Sequence, residues 1–600
     1  MKFPAGPHPV SRSTVTATTA PPVPDLQPVR RRSAFGVLGW GAILIATVVV
    51  APILAVVSNI FAPGTGTWTH LAATVLPDYI ATTLRLTLGV GIGTMVFGVG
   101  TAWLVSAYTF PGRGILQWAL ILPLAMPAYV IAYVYTDWLQ FAGPVQTAFR
   151  GWLGVGAPRL PDVRSEGGAI LMFSLVLYPY VYLLARNAFL EQSAGMIEAG
   201  RQMGYSAWQS FVRIALPLAR PGIAAGVALV LMETLADFGA VSYFGVQTFT
   251  TGIYRAWQSL GDQVAAAQLA AVLLGLVALI LALERANRGR ARFQSGNPGR
   301  RGYPQRMHGR AAALACIACT LPVILGFLLP AALLVRLALD EIVIGRGPRL
   351  IGLIGNSFML ATISAAVVTA AALILAYAAR VTREAGPARV IRTANQVASL
   401  GYAIPGAVIA VGVLLPLGRL DNLIIGWAKA WFGMQFGLVL TGSLAALVFA
   451  YLVRFLAIAL QSVESGLSRV TPSMDDAARG LGIPPLQILA RVHAPMLRPS
   501  VLTAALLVFV DVMKELPASF ALRPFNFDTL AIEIYNLAKD ERLGEAALPS
   551  LLIVAVGLLP LAFLSRQMKT NDEGRRSPAP KANTGRETLS RPPPVPRLGE

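Results

Sequence analysis

Charged residues are scarce in this chain. Only 13% of its 600 residues are Asp, Glu, Lys or Arg, whereas 55% are hydrophobic. Soluble domains carry charge on about a quarter of their residues, so this composition excludes an ordinary soluble protein. The mean hydropathy is +0.62, and a membrane crossing needs roughly 20 apolar residues for about 30 Å of hydrocarbon. The many apolar runs therefore predict a polytopic membrane protein.

Cysteine and nucleotide-binding motifs are also missing or rare. The chain has two cysteines, Cys316 and Cys319, which lie together inside an apolar run. A CxxC pair can serve redox or metal chemistry, but without a histidine or a second pair nearby we interpret these residues as helix packing. No GxxxxGK[ST] phosphate loop occurs, so the chain lacks an ATP site of that kind. We predict no catalytic site, no bound cofactor and no firmly assigned metal.

Acidic residues are outnumbered by basic ones, 29 against 49, which gives a net charge of +20. Such an excess can indicate nucleic-acid binding, but here the basic residues cluster in short segments between apolar runs. That distribution is typical of cytoplasmic loops facing anionic lipid. Segment 285–310, with eight Arg and no acid, is the clearest case. We expect lipid, and no nucleic acid, as a partner.

The apolar runs predict an all-α polytopic membrane protein with about twelve transmembrane helices. The first six spans are expected near 36–58, 83–108, 115–138, 168–190, 222–245 and 264–284. The second six are expected near 311–338, 358–379, 394–416, 437–460, 500–520 and 546–566.

Composition also divides the chain into five regions. Residues 1–33 and 567–600 are polar and rich in proline, so we expect disordered cytoplasmic tails. Between them, 34–284 and 311–566 form two six-helix halves joined by the Arg-rich cytoplasmic linker 285–310. Both halves begin on the inner side, so they form a parallel repeat rather than an inverted one.

One loop sequence occurs twice, and the two stretches are called here the loop copies. The first copy, 198–221, reads EAGRQMGYSAWQSFVRIALPLARP, and the second, 476–499, reads DAARGLGIPPLQILARVHAPMLRP. Every pair of equivalent residues in the two copies is separated by the same spacing as residues 198 and 476, and we call this spacing the repeat offset. Each copy predicts two short helices separated by a left-handed glycine, Gly204 or Gly482.

Two further features of the loop copies follow from the sequence. In the first copy, Ser206 and Gln209 predict a capping box for the second short helix. With twelve spans and the N-terminus inside, both copies, which lie within loops 191–221 and 461–499, fall on the cytoplasmic side.

The third and fourth spans extend the comparison of the halves. LPLAMPAYVIA with Pro127 matches SLGYAIPGAVIA with Pro405 at the repeat offset, and each proline predicts a kink within a span. Arg186 lies closer to the first loop copy than Arg454 lies to the second. Matching these two arginines predicts a longer second loop and a shorter segment before the fourth span.

Acidic residues recur in the fifth span of each half. Glu233 and Asp237 are four residues apart, hence on one helix face, and Asp511 with Glu515 occupies the matched positions. A charge near the bilayer centre costs roughly 2.5 to 3.5 kcal/mol on insertion scales. We expect these groups to face a protein interior or a water-filled path. They either line a translocation path for a cation, or pair with basic residues such as Lys514 and fix the packing.

The loop copies resemble the EAA loop of binding-protein-dependent ABC importer permeases. Glu198, Gly204, Ile214, Leu216 and Pro217 fit that pattern, and the second copy fits more loosely. The resemblance implies that each copy docks into a separate ATPase subunit, so two ATPase copies are expected, with ATP used by them. It assigns this coupling role to the following residues: Glu198, Ala199, Arg201, Gly204, Pro217, Asp476, Ala477, Arg479, Gly482 and Pro495.

Three further stretches, 122–150, 233–257 and 511–531, are similar to the fused permeases of ferric iron ABC importers. This resemblance implies a bacterial inner-membrane permease with both termini cytoplasmic and a periplasmic solute-binding protein as partner. Related fused permeases serve thiamine, polyamines or phosphonates, so these solutes are alternatives. A proton-coupled transporter could use the same four acids, but it does not explain two EAA-like loops. A non-transporting membrane scaffold is disfavoured because it would not need matched intramembrane acids.

Overall fold

A computed structural model describes residues 37–574, apart from 64–65, 155–160, 193–199, 201, 289–304, 343–346, 383–387, 434–436 and 484. Within the described residues the chain is almost entirely helical, as predicted. Two short strands, β1 (Tyr108–Thr109) and β2 (Gln305–Arg306), pair in parallel. Most of the predicted tails and linker lie outside the described residues.

The helices of the first half follow the predicted apolar runs. They are α1 Val37–Ser58, α2 Gly66–Thr74, α3 Leu76–Ala107, α4 Arg113–Ala119, α5 Ala128–Leu139, α6 Pro144–Leu153, α7 Glu166–Glu191, α8 Ala207–Ser210, α9 Leu216–Ala236, α10 Gly239–Tyr243, α11 Phe249–Tyr254 and α12 Gln263–Arg288.

The second half has a similar series of long helices and short connecting helices. Its helices are α13 Gly309–Val323, α14 Leu329–Ile342, α15 Gly347–Val381, α16 Ala388–Ala398, α17 Gly406–Phe432, α18 Leu444–Ser468, α19 Pro472–Gly480, α20 Pro485–Ile488, α21 Ala494–Met513, α22 Pro517–Leu522, α23 Leu530–Lys539 and α24 Leu543–Gly574.

Membrane crossings can be counted from helix length and hydropathy. Among the described residues, eleven helices are long and apolar enough to span a bilayer. A twelfth crossing results if the pair Arg113–Ala125 and Ala128–Leu153, bent by 91°, is one span. This agrees with the predicted twelve. With six crossings in each half, the halves start on the same side, as a parallel repeat requires.

The expectation that each matched proline kinks a span is only partly met. Pro127 lies at the sharp bend between two helices of one span, whereas Pro405 directly precedes the third span of the second half, which is Gly406–Phe432 rather than 394–416. Met126 before Pro127 and Ile404 before Pro405 both have extended backbone, with ψ of 115° and 126°. A residue before proline avoids the α region because the pyrrolidine ring clashes with it. In each half a short 3₁₀ segment therefore ends at this point, and a new helix, α5 or α17, begins after the proline.

The fourth spans correct the matching of Arg186 with Arg454. Ser165 caps α7 by accepting a bond from the Gly168 N–H, and Ser443 caps α18 by accepting one from the Ala446 N–H. These two caps are separated by the repeat offset, so the segment before the fourth span is not shortened. Helix α18 continues to Ser468, well into the predicted loop 461–499. The position equivalent to Arg454 is Val176.

The halves interlock. The first span, α1, packs against α16 and α17 of the second half, and α24 of the second half packs on the 3₁₀ segment before Pro127. Glycines permit these approaches: a Cβ on Gly412 would lie 2.5 Å from the carbonyl oxygen of Pro52. A Cβ on Gly557 would lie 2.8 Å from that of Ala125. The interface between the halves is therefore closely packed backbone to backbone.

Candidate functional site

A cavity of about 130 Å³ lies between the halves, where the fifth spans end. Helices α5, α7 and α9 of the first half and α18 and α21 of the second contribute to its wall. All four predicted acids line it, namely Glu233, Asp237, Asp511 and Glu515. The tertiary structure thus brings together two acidic pairs that belong to different halves of the sequence.

The expectation that each acidic pair shares one helix face is wrong. Helix α9 ends at Ala236, and Asp237 has extended backbone with ψ of 137°. Helix α21 ends at Met513, so Glu515 also lies beyond the helix. The break in the second half has a visible cause, because Pro517 has no backbone N–H with which to continue α21 and occupies the first position of the next helix. Glu233 and Asp511 remain within their helices.

The two displaced acids cap the short helices that follow. Asp237 Oδ1 accepts hydrogen bonds from the N–H groups of Ala240, at 2.9 Å, and Val241, at 3.2 Å. Glu515 accepts matched bonds from the N–H groups of Ala518 and Ser519, both at 2.9 Å. Free N–H groups at a helix start favour such a carboxylate. Each break is thereby stabilised by the acid that stands in it.

Two basic side chains, both from the second half, also line the cavity. Arg454 Nη1 lies 3.0 Å from Glu515 Oε1, and Lys514 Nζ lies 2.9 Å from Asp511 Oδ1. Their equivalents in the first half are Val176 and Ala236. The charge on the cavity wall is therefore asymmetric, although the acids are matched.

The first-half acids have different partners. Glu233 Oε1 accepts a hydrogen bond from the Tyr402 hydroxyl at 3.2 Å, across the interface between the halves. Among the described residues, neither Glu233 nor Asp237 has a basic side chain within salt-bridge distance. Tyr402 was not singled out from the sequence. Its place three residues before Pro405, in the 3₁₀ segment that precedes the third span, is the signal that could have indicated it.

The cavity does not contain a ready-made metal site. Within the described part of the chain, no group of three or more His, Cys, Asp or Glu side chains is arranged to hold a metal ion. With all six charged side chains ionised, the wall carries four negative and two positive charges. The arrangement can attract a cation through its charge, without the converging ligands of a tight site.

The glycines of the loop copies adopt the predicted conformation. Gly204 has φ of 81° and Gly482 has φ of 74°. The next N–H in each copy, from Tyr205 or Ile483, reaches back five residues to a carbonyl oxygen, at 3.0 and 3.2 Å. This is the bond that closes a helix through a left-handed glycine. The two copies therefore share the same backbone geometry at the glycine turn.

The described residues after Gly204 in the first copy also agree with the prediction. The Ser206 and Gln209 capping box is present. In both copies the second short helix passes through a π-helical turn, Phe211–Ala215 or Leu489–His493, into the fifth span. Beside the glycines, Met203 and Leu481 are 64% and 80% exposed. Each loop copy thus presents an apolar side chain next to its turn.

Only some of the predicted coupling residues lie in the described part of the chain. Glu198, Ala199 and Arg201 lie outside the described residues. Asp476 and Ala477 are exposed on α19, which also contains Arg479. Pro217 and Pro495 are exposed at the second positions of α9 and α21.

The acid that other side chains anchor is Asp475, which directly precedes the second copy and the predicted Asp476. Its carboxylate lies 2.9 Å from Arg380 Nε and 2.7 Å from His493 Nε2. Burial alone would raise the pKa of Asp475, but the hydrogen bonds from Arg380 and His493 outweigh it and hold the pKa below the usual value. At the repeat offset, the positions matched to Asp475 and His493 in the first half are Ile197 and Ala215, so neither the acid nor the histidine recurs there. This anchor is therefore specific to the second half.

A family model described as "Binding-protein-dependent transport system inner membrane component" matches residues 94–290. The Fe(3+)-transport system permease protein FbpB 2 of Haemophilus influenzae is 24% identical over 501 residues, which cover 82% of this chain and 90% of that protein. The likeness to this protein extends over both halves.

Shorter relatives match only part of the chain. The molybdenum transport system permease protein ModB of Escherichia coli K12 is 29% identical over 208 residues, 33% of this chain and 89% of that protein. The sulfate transport system permease protein CysW of the same organism is 30% identical over 219 residues, 36% of this chain and 73% of that protein. Most of ModB thus corresponds to about a third of this chain, less than one of its two halves, as expected if the chain holds two such modules.

Proposed function

This chain belongs to the family of binding-protein-dependent transport system inner membrane components, and we propose that it is the complete membrane pathway of one ATP-driven importer. A periplasmic binding protein delivers the solute, and two copies of a separate ATPase subunit supply the energy from ATP. Both termini and both loop copies face the cytoplasm. The solute crosses between the halves, through the cavity.

The observation that carries this proposal is the shared geometry of the two loop copies. Gly204 and Gly482 form the same turn, with an exposed apolar side chain beside each. Two equivalent projections fit two equivalent grooves, which a pair of identical ATPase subunits would offer. The turns of the two loop copies are alike, whereas the charges on the cavity wall differ between the halves. We therefore infer that the loop copies bind a symmetric partner.

A continuous helical path links each loop copy to the cavity. In the first half the chain passes from α8 through the π-helical turn into α9, which ends at the cavity beside Asp237. A helix of the 21 residues in α9 is about 30 Å long at 1.5 Å per residue. Closure of the ATPase pair would draw the loop copies together, and the fifth spans would transmit that motion to the cavity.

Ferric iron is the solute that we favour. The cavity has an excess of carboxylates, and hard oxygen donors suit hard cations. A relative that matches both halves is named as an Fe(3+) transport permease. An oxyanion is the second candidate, because Arg454 and Lys514 line the same cavity and two shorter relatives are named for molybdenum and sulfate transport.

A pull-down tests the coupling part of the proposal. Val has a β-branched side chain that strongly disfavours positive φ, while a Cβ at Gly204 or Gly482 would meet no atom within 4 Å. The double variant Gly204→Val plus Gly482→Val should therefore lose a co-purifying ATPase through altered loop shape alone. Gly418→Val, in α17 and also with open space around it, is the control. Intact ATPase binding in the double variant would refute the docking role.

Uptake assays test the solute. Cells that express the chain with its ATPase and binding protein should accumulate radiolabelled ferric iron, and the double variant Glu233→Gln plus Asp511→Asn should reduce that uptake. Uptake of molybdate instead of iron would favour the oxyanion alternative. Unchanged iron uptake in the double variant would show that these carboxylates do not serve the path.

A further inference from the structure

Four aromatic side chains meet where the halves touch beyond the ends of the fifth spans. Phe238 and Tyr254 come from the first half, and Phe520 and Tyr535 from the second. The Phe238 ring centroid lies 4.1 Å from that of Tyr254, 5.7 Å from Phe520 and 5.5 Å from Tyr535. We call these four residues the aromatic cluster. Because the fifth spans run from the loop copies to the cavity, the cluster lies on the opposite side of the cavity from the loops.

Polar contacts across the interface surround the cluster. The Tyr254 hydroxyl donates to the carbonyl oxygen of Pro517, and the hydroxyl groups of Ser242 and Tyr535 lie 3.0 Å apart. Each contact joins one half to the other. Three of the four rings, those of Phe238, Tyr254 and Tyr535, are buried, so the cavity is closed at this end. It can open here only if the halves part.

The capping acids connect the cavity to this closure. Asp237 caps α10, which carries Ser242, and Glu515 caps α22, which carries Phe520. Each carboxylate stands in the cavity wall, and the helix it caps makes contacts across the interface. The orientation of both short helices thus depends on acids that border the cavity.

The two capping carboxylates, Glu515 and Asp237, are held by different numbers of contacts. Both carboxylate oxygens of Glu515 accept hydrogen bonds, and Arg454 adds an ion pair. Asp237 accepts through Oδ1 alone, and among the described residues nothing bonds to its Oδ2. The first-half cap is therefore the weaker of the two and the one more easily released.

We propose that Asp237 and Glu515 are positioning residues for a gate formed by the aromatic cluster, and that they act as helix caps rather than as charges that meet the solute. This inference rests on the proposed transport function. Release of a cap lets its short helix turn, separates its contacts from the other half and opens the cavity on the side away from the loop copies. Glu233 and Asp511 are then the two acids that serve the translocation path.

Two substitutions of Asp237 by side chains of nearly equal shape distinguish its role as a helix cap from the effect of its charge. Asp237→Asn removes the charge but keeps an oxygen that can accept from the N–H groups of Ala240 and Val241. Asp237→Leu has a similar branched shape and no acceptor. The reporter is Val176→Cys, a buried residue of the cavity wall, in a chain whose Cys316 and Cys319 are replaced by alanine.

The measurement is the rate at which a membrane-impermeant maleimide labels the reporter from the face opposite the loop copies, normalised to labelling after denaturation. We expect slow labelling in the parent and in Asp237→Asn. In Asp237→Leu we expect a rate about fivefold higher, the shift that loss of a helix cap of ordinary strength supports. Asp237→Ala is a second capless variant if Asp237→Leu does not fold.

Two outcomes would overturn the proposal. If folded Asp237→Leu is labelled at the parental rate, the cap does not hold the closure. If Asp237→Asn is labelled as fast as Asp237→Leu, the charge and not the cap is what matters. The labelling needs neither an ATPase nor a solute, so it is decided separately from the pull-down and uptake assays.

Discussion

Removal of Arg454 would leave a buried carboxylate without its counter-ion. In the substitution Arg454→Met the apolar part of the side chain is largely kept, while the guanidinium 3.0 Å from Glu515 is lost. The Glu515 side chain is 2% exposed and that of Arg454 is 14% exposed. Water therefore cannot readily replace the lost partner.

The size of the effect follows from the remaining contacts. Breaking a buried ion pair by removing one partner costs about 3 to 5 kcal/mol. Glu515 keeps the N–H groups of Ala518 and Ser519 and the Ser519 hydroxyl, so we expect a loss near the lower end, about 3 kcal/mol. The double variant Arg454→Met plus Glu515→Gln removes both charges and should lose only about 1 to 2 kcal/mol.

Unfolding in mixed micelles of rising sodium dodecyl sulfate content, followed by tryptophan fluorescence, measures these differences. A control is Arg542→Met, which removes an ion pair with Glu545 at 2.7 Å in which Arg542 is 48% exposed. We expect a loss of at most about 1 kcal/mol there. If Arg454→Met were no more destabilised than Arg542→Met, or if the double variant were worse than Arg454→Met alone, the ion-pair reasoning would be refuted.

Two further predictions concern stability. Gly412→Ala should destabilise the protein by about 1 to 3 kcal/mol through overpacking against the Pro52 carbonyl, whereas Gly418→Ala, in the same helix with open space around it, should be neutral or stabilising in the same unfolding assay. Asp475→Asn should destabilise at pH 7, and this deficit should shrink progressively as the pH falls from about 4 through the lowered folded-state pKa of Asp475, because a carboxyl whose folded-state pKa is lowered contributes its full stability above its unfolded pKa and none below its folded pKa. Unfolding of the parent and of Asp475→Asn, measured in parallel at pH 7 and at acidic pH, checks the direction of this change. A stability deficit that grew on acidification would contradict the prediction.

Much of the architecture could be predicted from local pattern. The spans follow from apolar runs, since lipid admits few other backbone arrangements. The constant repeat offset predicted two halves of the same design, and Gly204 and Gly482 adopt positive φ as their position after an Ala-rich turn indicated. Each of these inferences depends on short stretches of neighbouring residues, which a sequence displays directly.

The charged residues were harder to place. The match of Arg186 with Arg454 failed because a single residue type says little about register, whereas the matched caps of Ser165 and Ser443 define it. The ends of the fifth spans were also misplaced, because apolar residues continue beyond Ala236 and Met513 with only isolated charges among them. Asp475 was passed over in favour of its neighbour, since only the fold brings Arg380 and His493 to it.

The sequence by itself determined the class of molecule, the number and order of its spans, the repeat and the turns of the two loop copies. The tertiary structure alone decided which side chains share the cavity and which partner each acid takes. Tyr402 reaches Glu233 across 169 residues of chain, and Tyr254 meets Pro517 across 263. Such contacts depend on how the two halves pack together, and no local periodicity encodes that packing.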